Sequence, residues 1–223
     1  MSTRQAGLQA LLASTPVVPV LAIDAVRTAL PLTQALVAGG LSVLEITLRT
    51  PAALEIIRAI SGEVEDAVVG AGTVLTPAQY RDAVAAGARF VVSPGVTPAL
   101  LDVAEASSVP FLPGALTSSE VMRLLERGYG CLKFFPAEPA GGVAYLQALA
   151  APLPDARFCP TGGIDAKLAP AYLALPNVVC IGGSWVAPRA AVAAGDWPAI
   201  TQLARAAAAL RPAPRAVGAQ PDR

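Results

Sequence analysis

The sequence predicts an α/β fold, a (β/α)8 barrel of the TIM type with an N-terminal capping helix. Eight short apolar runs alternate with eight helical segments rich in Ala and Leu, and this alternation is typical of a parallel sheet. The runs are apolar at consecutive positions, as expected for strands covered on both faces. Eight such units in about 200 residues fit a barrel. No Gly-x-Gly-x-x-Gly motif follows the first strand to favour an open dinucleotide-binding sheet.

The strands and helices are predicted to alternate along the chain. The predicted strands are residues 17–23, 43–48, 67–72, 90–93, 110–113, 131–135, 157–160 and 178–182. The predicted helices are residues 25–38, 51–61, 77–86, 97–106, 117–127, 141–150, 166–174 and 197–210. An additional stretch over residues 8–14 predicts the capping helix.

Local residue patterns mark where several helices begin and end. Thr-Pro pairs at Thr50, Thr76 and Thr97 predict N-terminal caps followed by proline in the first turn. Thr117 and Glu120 have the spacing of a capping box. Three glycines are predicted to end helices in the left-handed conformation, namely Gly39, Gly87 and Gly128.

Composition restricts the domain organisation and the class of partner. A single domain is predicted over residues 1–210, and residues 211–223, which hold few large apolar side chains, are predicted to be a disordered tail. The 16 basic and 16 acidic residues cancel, so nothing argues for nucleic acid. No apolar run reaches the length of a membrane span, and the N-terminal stretch lacks the apolar core of a signal peptide. We expect a cytoplasmic protein with small-molecule partners and no membrane partner.

The cysteines and the missing histidines bear on metal chemistry. The three cysteines lie in strand-like runs and are expected to be small buried thiols in a reducing compartment; they are Cys131, Cys159 and Cys180. The chain contains no histidine, so the commonest metal ligand and the usual general base are both missing. We therefore expect no metal site.

One lysine stands in an unusual place. Only Lys133 and Lys167 are lysines among the 16 basic residues, and Lys133 lies within an apolar run, Cys131-Leu-Lys-Phe-Phe-Pro136. An ammonium group buried there without a partner costs several kcal/mol, and a neutral amine forms Schiff bases with carbonyl compounds. The alternative is a lysine that extends its charged end to water, which the apolar flanks disfavour. Lys167 is expected to be an exposed surface residue.

A second set of polar residues lies on the second predicted strand. Glu45, Thr47 and Arg49 alternate with apolar residues, so they are expected to point into the barrel. One interpretation is a structural salt bridge between Glu45 and Arg49. The favoured interpretation is a carboxylate that exchanges protons with Lys133.

Small residues follow several predicted strands, at the barrel end that carries chemistry in this fold. Gly70-Ala-Gly-Thr73 ends the third strand, where a ligand or backbone must approach closely; Thr73 is either a ligand-binding residue or a helix cap. Ser93-Pro-Gly95 is predicted to be a turn. Thr161-Gly-Gly163 and Gly182-Gly-Ser184 end the last two strands, and paired glycines there favour a phosphate site over simple tight turns.

Eight stretches in order along the chain carry a resemblance to a known family. They are Pro16-Val-Val-Pro-Val20, Ala38-Gly-Gly40, Leu44-Glu-Ile-Thr-Leu-Arg-Thr50, Val69-Gly-Ala-Gly-Thr-Val74, Ser93-Pro-Gly95, Lys133-Phe-Phe-Pro-Ala-Glu138, Phe158-Cys-Pro-Thr-Gly-Gly-Ile164 and Cys180-Ile-Gly-Gly-Ser-Trp185. Within about residues 8–210 the chain resembles the class I 2-keto-3-deoxy-6-phosphogluconate (KDPG) aldolases, which also act as 4-hydroxy-2-oxoglutarate aldolases.

The resemblance implies a homotrimeric (β/α)8 barrel that needs no cofactor. It would split the sugar acid of the Entner–Doudoroff pathway into pyruvate and glyceraldehyde 3-phosphate. Lys133 resembles the Schiff-base lysine and Glu45 the general acid/base. Three further groups follow from the resemblance: Arg49 and Thr73 for the substrate carboxylate, Pro94 and Phe135 for the pocket wall, and Thr161, Gly162, Gly163, Gly183 and Ser184 for the phosphate. The chain departs from the family pattern at Pro139-Ala140, at Ala115-Leu116 and in its tail, and at no catalytic position.

Several other functions share part of these features. An aldolase for the galactonate epimer would use the same motifs. A metal-dependent aldolase would need a divalent-ion site, against which the absence of histidine weighs. A phosphate-binding barrel isomerase would share the glycine pairs without requiring a buried lysine. A non-enzymatic sugar-acid binder gives no reason to place Glu45 and Lys133 in one interior.

Overall fold

Eight parallel strands form a closed barrel in the computed structural model, which describes residues 3–210. The strands are β1 (Val17–Leu21), β2 (Val43–Thr47), β3 (Val68–Gly72), β4 (Val91–Val92), β5 (Phe111–Leu112), β6 (Cys131–Phe134), β7 (Arg157–Pro160) and β8 (Ile181–Gly183). Six of them pair in the order β5-β4-β3-β2-β1-β8, and β6 pairs with β7. A parallel bridge between Gly114 and Lys133 joins β5 to β6, and one between Thr161 and Gly182 joins β7 to β8. The ring is therefore complete, which confirms the predicted barrel.

Helices follow the strands as the alternation predicts. They are α1 (Thr3–Ala13), α2 (Val26–Ala38), α3 (Ala53–Glu63), α4 (Pro77–Ala85), α5 (Pro98–Ala106), α6 (Ser118–Glu126), α7 (Gly142–Ala150), α8 (Ala169–Leu173), α9 (Arg189–Ala194) and α10 (Trp197–Ala208). The sequence did not predict α9, because this short helix buries no side chain and so lacks an apolar stripe. Within residues 3–210 no helix is both long and apolar enough to cross a membrane. The predicted tail, residues 211–223, lies outside the described residues.

The threonine signals are confirmed at three of the four predicted helix starts. Thr76, Thr97 and Thr117 each accept a hydrogen bond from the backbone N–H three residues ahead, and Glu120 completes the capping box at Thr117. The prediction for Thr50 is wrong, since α3 begins two residues later than expected. The Thr50 hydroxyl instead donates to the carbonyl oxygen of Ile23 at 2.7 Å and so ties the segments after β1 and β2 together.

The glycine signals are confirmed at Gly87 and Gly128, whose φ angles are 98° and 82°. The prediction for Gly39 is wrong, because its φ is −84° and its neighbour Gly40 takes the left-handed conformation at 92°. Gly39 has a different reason to be glycine. A Cβ atom there would lie 2.3 Å from the Cβ of Ala204 on α10 and 2.8 Å from a backbone carbonyl of that helix. The missing side chain lets α2 and α10 pack in direct contact.

Two apolar layers hold the barrel together. The larger one lies between the strands and the surrounding helices and includes Leu44 and Ile46. The smaller one fills the inside of the barrel with Leu8 and Leu12 of α1 and with inward-facing strand residues, namely Val18, Val43, Phe90, Val92, Leu112, Cys131, Cys159 and Cys180. Because Leu8 and Leu12 are fully buried in that inner layer, α1 is the predicted capping helix. It closes the end at which the strands begin and leaves the other end for polar residues.

We expect Gly39→Ala to lower the free energy of unfolding by about 1–3 kcal/mol, because the new methyl group overlaps Ala204 and the α10 backbone. The matched control is Gly62→Ala on α3, where a Cβ meets nothing within 4 Å. That change should raise stability by roughly 0.5–1 kcal/mol through helix propensity. Urea denaturation of both variants measures the difference, and equal shifts would contradict the packing role of Gly39.

Candidate active site

Lys133 and Glu45, 88 residues apart in the chain, meet inside the barrel. The Nζ atom of Lys133 on β6 lies 3.0 Å from Oε1 and 3.4 Å from Oε2 of Glu45 on β2. Lys133 is 5% exposed and Glu45 is 3% exposed. Lys133 therefore does not extend to water, and Glu45 pairs with it instead of with Arg49. The alternative of a Glu45–Arg49 salt bridge is wrong.

The pair lies near the barrel end at which the strands finish. Each charged residue follows an inner-layer residue by two positions, Lys133 after Cys131 and Glu45 after Val43. Since side chains two apart on a strand share a face, the ion pair forms the next layer above the apolar interior. Burial of this kind removes most of the hydration of both charges, so each depends on the other for compensation.

Glycines make room for this layer. A Cβ atom at Gly72 would lie 2.0 Å from Glu45 Oε1, and one at Gly70 would lie 2.4 Å from the Phe90 ring. The sequence correctly predicted close approach along Gly70-Ala-Gly-Thr73, but the approaching groups are side chains of the protein itself. Any side chain at Gly72 would displace the carboxylate from Lys133.

Arg49 and Thr73 lie just beyond the ends of β2 and β3. Arg49 is exposed and makes no ion pair with any side chain of the described region. Thr73 has a φ of 57°, the only positive value at a non-glycine position within residues 3–210, and such strain concentrates at functional sites. Thr76 caps α4, so the capping alternative for Thr73 is wrong. Binding of a substrate carboxylate by Arg49 and Thr73 stays a prediction.

Pro94 and Phe135 lie at the open end of the same interior. Phe135 is 37% exposed, and Lys133 Nζ lies 5.5 Å from the centre of its ring. Pro94 follows β4, and a Cβ atom at Gly114 would lie 2.3 Å from its carbonyl group. The Phe135 ring thus lies near the amine, and the role of Pro94 and Phe135 as pocket walls stays a prediction.

The predicted phosphate-binding residues cluster where β7 and β8 end. Gly162 and Gly163 have left-handed φ angles of 106° and 82°, and their backbone N–H groups find no acceptor among the described residues. The buried Thr161 hydroxyl also lacks a partner there. Ser184 is exposed and follows β8 directly. Gly183 packs against the Trp185 ring, and a Cβ atom at Gly183 would lie 1.9 Å from that ring. The unpaired N–H groups of Gly162 and Gly163 can donate to an anion, and binding of a phosphate at this cluster stays a prediction.

A contact between Tyr172 and Glu138, which the sequence does not predict, lies beside these turns. The hydroxyl group of Tyr172 on α8 donates to the carboxylate of Glu138, which follows β6. Glu138 ends the stretch that begins at Lys133, but nothing in the local pattern indicates a partner 34 residues away.

The thiols below the ion pair are buried and free, as predicted. Burial raises the pKa of the Cys131 thiol, and the contact with Cys159 followed by burial raises that of Cys180. The Cys180 thiol donates a hydrogen bond to the sulfur of Cys159 at 3.4 Å, and no disulfide joins the two. Cys131 and Cys180 are therefore protonated at neutral pH. All three cysteines pack as small buried residues. Within residues 3–210 no three Cys, Asp or Glu side chains are grouped so as to hold a metal ion.

Comparison with known proteins matches both the sequence and the fold. The family model described as "Aldolase: KDPG and KHG aldolase" covers residues 8–203. The 2-dehydro-3-deoxy-phosphogluconate aldolase of Pseudoalteromonas atlantica is 54% identical over 87% of this chain and 90% of its own. The KHG/KDPG aldolase of Escherichia coli K12 is 49% identical over 93% and 97%.

A solved structure agrees with these sequence relatives. The KDPG aldolase of Legionella pneumophila, with pyruvate captured as a covalent carbinolamine intermediate, superposes with a TM-score of 0.88 at 48% identity. It covers 90% of this chain and 97% of its own. With a family match over most of its length and relatives of this similarity, the chain belongs to the KDPG and KHG aldolase family.

Proposed function

We propose that this protein is a class I aldolase, a lyase of the Entner–Doudoroff pathway that cleaves KDPG into pyruvate and glyceraldehyde 3-phosphate through a Schiff base on Lys133. The observation that carries the proposal is the buried contact of 3.0 Å between Lys133 Nζ and Glu45 Oε1. It places a nucleophilic amine and a proton acceptor in one water-poor interior. The names of the relatives support the same reaction.

The contact explains how a buried amine becomes nucleophilic. An ammonium group has no lone pair, so Lys133 must release a proton before it attacks a carbonyl group. Glu45 accepts that proton over 3.0 Å, and the ion pair becomes a neutral pair of amine and carboxylic acid. Because no isolated charge is left in the interior, the transfer avoids the large cost of an unpaired buried ion.

The reaction then uses Glu45 repeatedly as acid and base. The amine attacks C2 of the keto acid, and the carbinolamine loses its hydroxyl group as water with the proton from Glu45, which leaves a protonated iminium. Glu45 next removes the C4 hydroxyl proton, directly or through a water molecule. The C3–C4 bond breaks, its electrons enter the iminium to form an enamine, and glyceraldehyde 3-phosphate leaves. Glu45 protonates the enamine at C3, and hydrolysis releases pyruvate from Lys133.

The remaining predicted residues bind the two ends of the substrate. The planar guanidinium of Arg49 suits a carboxylate, and Thr73 holds its other side, with Pro94 and Phe135 as walls. The phosphate binds at Thr161, Gly162, Gly163, Gly183 and Ser184. Binding energy from this remote group then positions the reacting carbons.

A second substrate, 4-hydroxy-2-oxoglutarate, is favoured by the separation of these two sites. Lys133, Glu45, Arg49 and Thr73 act on the carboxylate, the keto carbon and the C3–C4 bond, which both substrates share, whereas the glycine turns follow β7 and β8. A keto acid without phosphate therefore still meets the complete reacting site. The E. coli relative, named a KHG/KDPG aldolase, supports this second activity.

We also propose that the protein acts in the cytoplasm as a homotrimer. Three unbonded thiols, two of them in contact, suit the reducing cytoplasm. The family resemblance supports a homotrimer that acts on free small molecules, with no nucleic-acid or membrane partner.

Borohydride reduction in the presence of pyruvate should attach one covalent adduct to the wild-type protein and none to Lys133→Met, because only an iminium is reduced to a stable amine. Lys167→Met is the matched control, since Lys167 is the other lysine and is exposed, and it should be labelled like the wild type. Intact-mass spectrometry measures the adduct. An adduct on Lys133→Met would show that the Schiff base forms elsewhere.

Removing one member of the buried pair should destabilise the fold more than removing both. Lys133→Met leaves Glu45 without a partner and should lower the free energy of unfolding by about 3–5 kcal/mol. The double variant Lys133→Met/Glu45→Leu should recover most of that loss while staying inactive. Urea denaturation at neutral pH checks this, and additive losses would contradict the coupling.

Ser184→Ala should weaken use of KDPG and spare the unphosphorylated substrate. A hydrogen bond to a charged group contributes about 1.5–3 kcal/mol, so kcat/KM for KDPG should fall roughly tenfold or more. The value for 4-hydroxy-2-oxoglutarate should hold within about twofold, since that substrate makes no such contact. Equal losses on both substrates would place Ser184 outside the phosphate site.

A further inference from the structure

The contact between Glu138 and Tyr172 lies beside the glycine turn after β7. Tyr172 is completely buried on α8, and its hydroxyl group donates to Oε1 of Glu138. The pKa of Tyr172 is raised mainly by burial and, to a smaller extent, by the hydrogen bond to Glu138. The phenol therefore stays protonated and remains a donor at neutral pH. The glutamate side chain is thus held in one position from inside the protein.

The same glutamate holds the glycine turn through its backbone and its aliphatic stem. The backbone N–H of Glu138 donates to the carbonyl oxygen of Gly162 at 3.0 Å, and that of Ala137 donates to Thr161 at 2.8 Å. A Cβ atom at Gly163 would lie 2.7 Å from the Cβ and 2.9 Å from the Cγ of Glu138. The turn therefore lies directly on Glu138, in a space too small for any side chain at Gly163.

Two successive left-handed glycines have no side chains with which to define their own orientation. Their N–H groups bind an anion well only if neighbouring groups hold them in the required direction before the anion arrives. The three atoms nearest to a Cβ built on Gly163 all belong to Glu138, whereas those nearest to one built on Gly162 belong to Phe135 and Pro136. What holds Glu138 in place consequently also holds the turn.

We propose that Glu138 and Tyr172 are positioning residues for the phosphate group of the substrate, acting through the Gly162–Gly163 turn. This inference rests on the proposed aldolase function and on the phosphate site within it. Glu138 lies five positions after Lys133 in the same segment. The contact between Glu138 and Tyr172 therefore also sets the distance between the reacting amine and the Gly162–Gly163 turn. The pair thereby favours keto acids whose phosphate lies at one defined distance from C2.

Tyr172→Phe removes the hydroxyl group and keeps the ring. The expected result is a rise in KM for KDPG of about threefold to tenfold, the range for one lost hydrogen bond, with kcat within about twofold of the wild type. Both constants for 4-hydroxy-2-oxoglutarate should be unchanged. A role limited to folding would lower thermal stability without changing the ratio of the two KM values, and that result would overturn the proposal.

Tyr80→Phe is the matched control. Tyr80 is also buried, and its hydroxyl group donates to one acceptor, the carbonyl oxygen of Val109 at 2.7 Å. That acceptor precedes β5, at the opposite end of the barrel from the glycine turn. The control should lose a similar amount of thermal stability and keep the wild-type KM ratio. A KM ratio that changes equally in both variants would overturn the proposal.

Variants of Glu138 test the other half of the contact, including the case in which Tyr172→Phe fails to fold. Glu138→Gln keeps an oxygen that accepts from Tyr172 and should retain the wild-type KM for KDPG, whereas Glu138→Leu should raise it as Tyr172→Phe does. Combining Glu138→Leu with Tyr172→Phe should add no further loss, since both break one contact. Additive effects, or a KM for Glu138→Leu equal to that of Glu138→Gln, would overturn the proposal.

The wild-type assay separates this inference from the function on which it rests. A wild type that cannot cleave KDPG contradicts the proposed function itself. If the wild type is active, the variants decide the positioning role. Loss of the preference for KDPG in Ser184→Ala, with the preference kept in Tyr172→Phe and Glu138→Leu, would contradict only the positioning role.

Discussion

The buried ion pair between Lys133 and Glu45 is the constraint around which the interior at the open end of the barrel is arranged. Two dehydrated charges contribute little to stability, and apolar residues of similar size would often serve the fold better. The proposed chemistry accounts for their presence, because in that proposal Glu45 accepts the proton of the amine, which lies 3.0 Å away. The neighbouring residues accommodate the pair: Gly72 leaves space for the carboxylate, and apolar side chains exclude water below it.

The two ends of the barrel differ in composition: one end is packed with apolar residues, and the other carries the polar and strained residues. The end at which strands begin is closed by α1 and filled by an apolar layer that includes three buried free thiols. The end at which strands finish carries features that cost stability, including the strained backbone of Thr73 and the Thr161 hydroxyl, which has no partner within residues 3–210. Strain and unpaired polar groups persist only when the surrounding structure is firmly held. The packed lower half provides that support.

Glycine serves three different physical purposes in this chain. Gly39 permits two helices to touch, Gly72 leaves space for a charged side chain, and Gly163 takes a left-handed turn that lies on Glu138. A sequence shows the glycine in each case but not which purpose applies. The predicted left-handed role of Gly39 was wrong for this reason, since the atoms that require a glycine belong to α10.

The sequence by itself determined whatever depends on near neighbours. Strand and helix alternation, the threonine caps before α4, α5 and α6, and a lysine within an apolar run are properties of a few adjacent residues. They predicted the barrel, and they are the basis for the proposal that Lys133 is the reactive amine. Tertiary structure alone decided the contacts between distant segments: Glu45 with Lys133 and not with Arg49, the Thr50 hydroxyl with Ile23, and Tyr172 with Glu138. Such pairings depend on strand register and barrel closure, and no local pattern encodes which of several polar residues will finally lie within hydrogen-bonding distance.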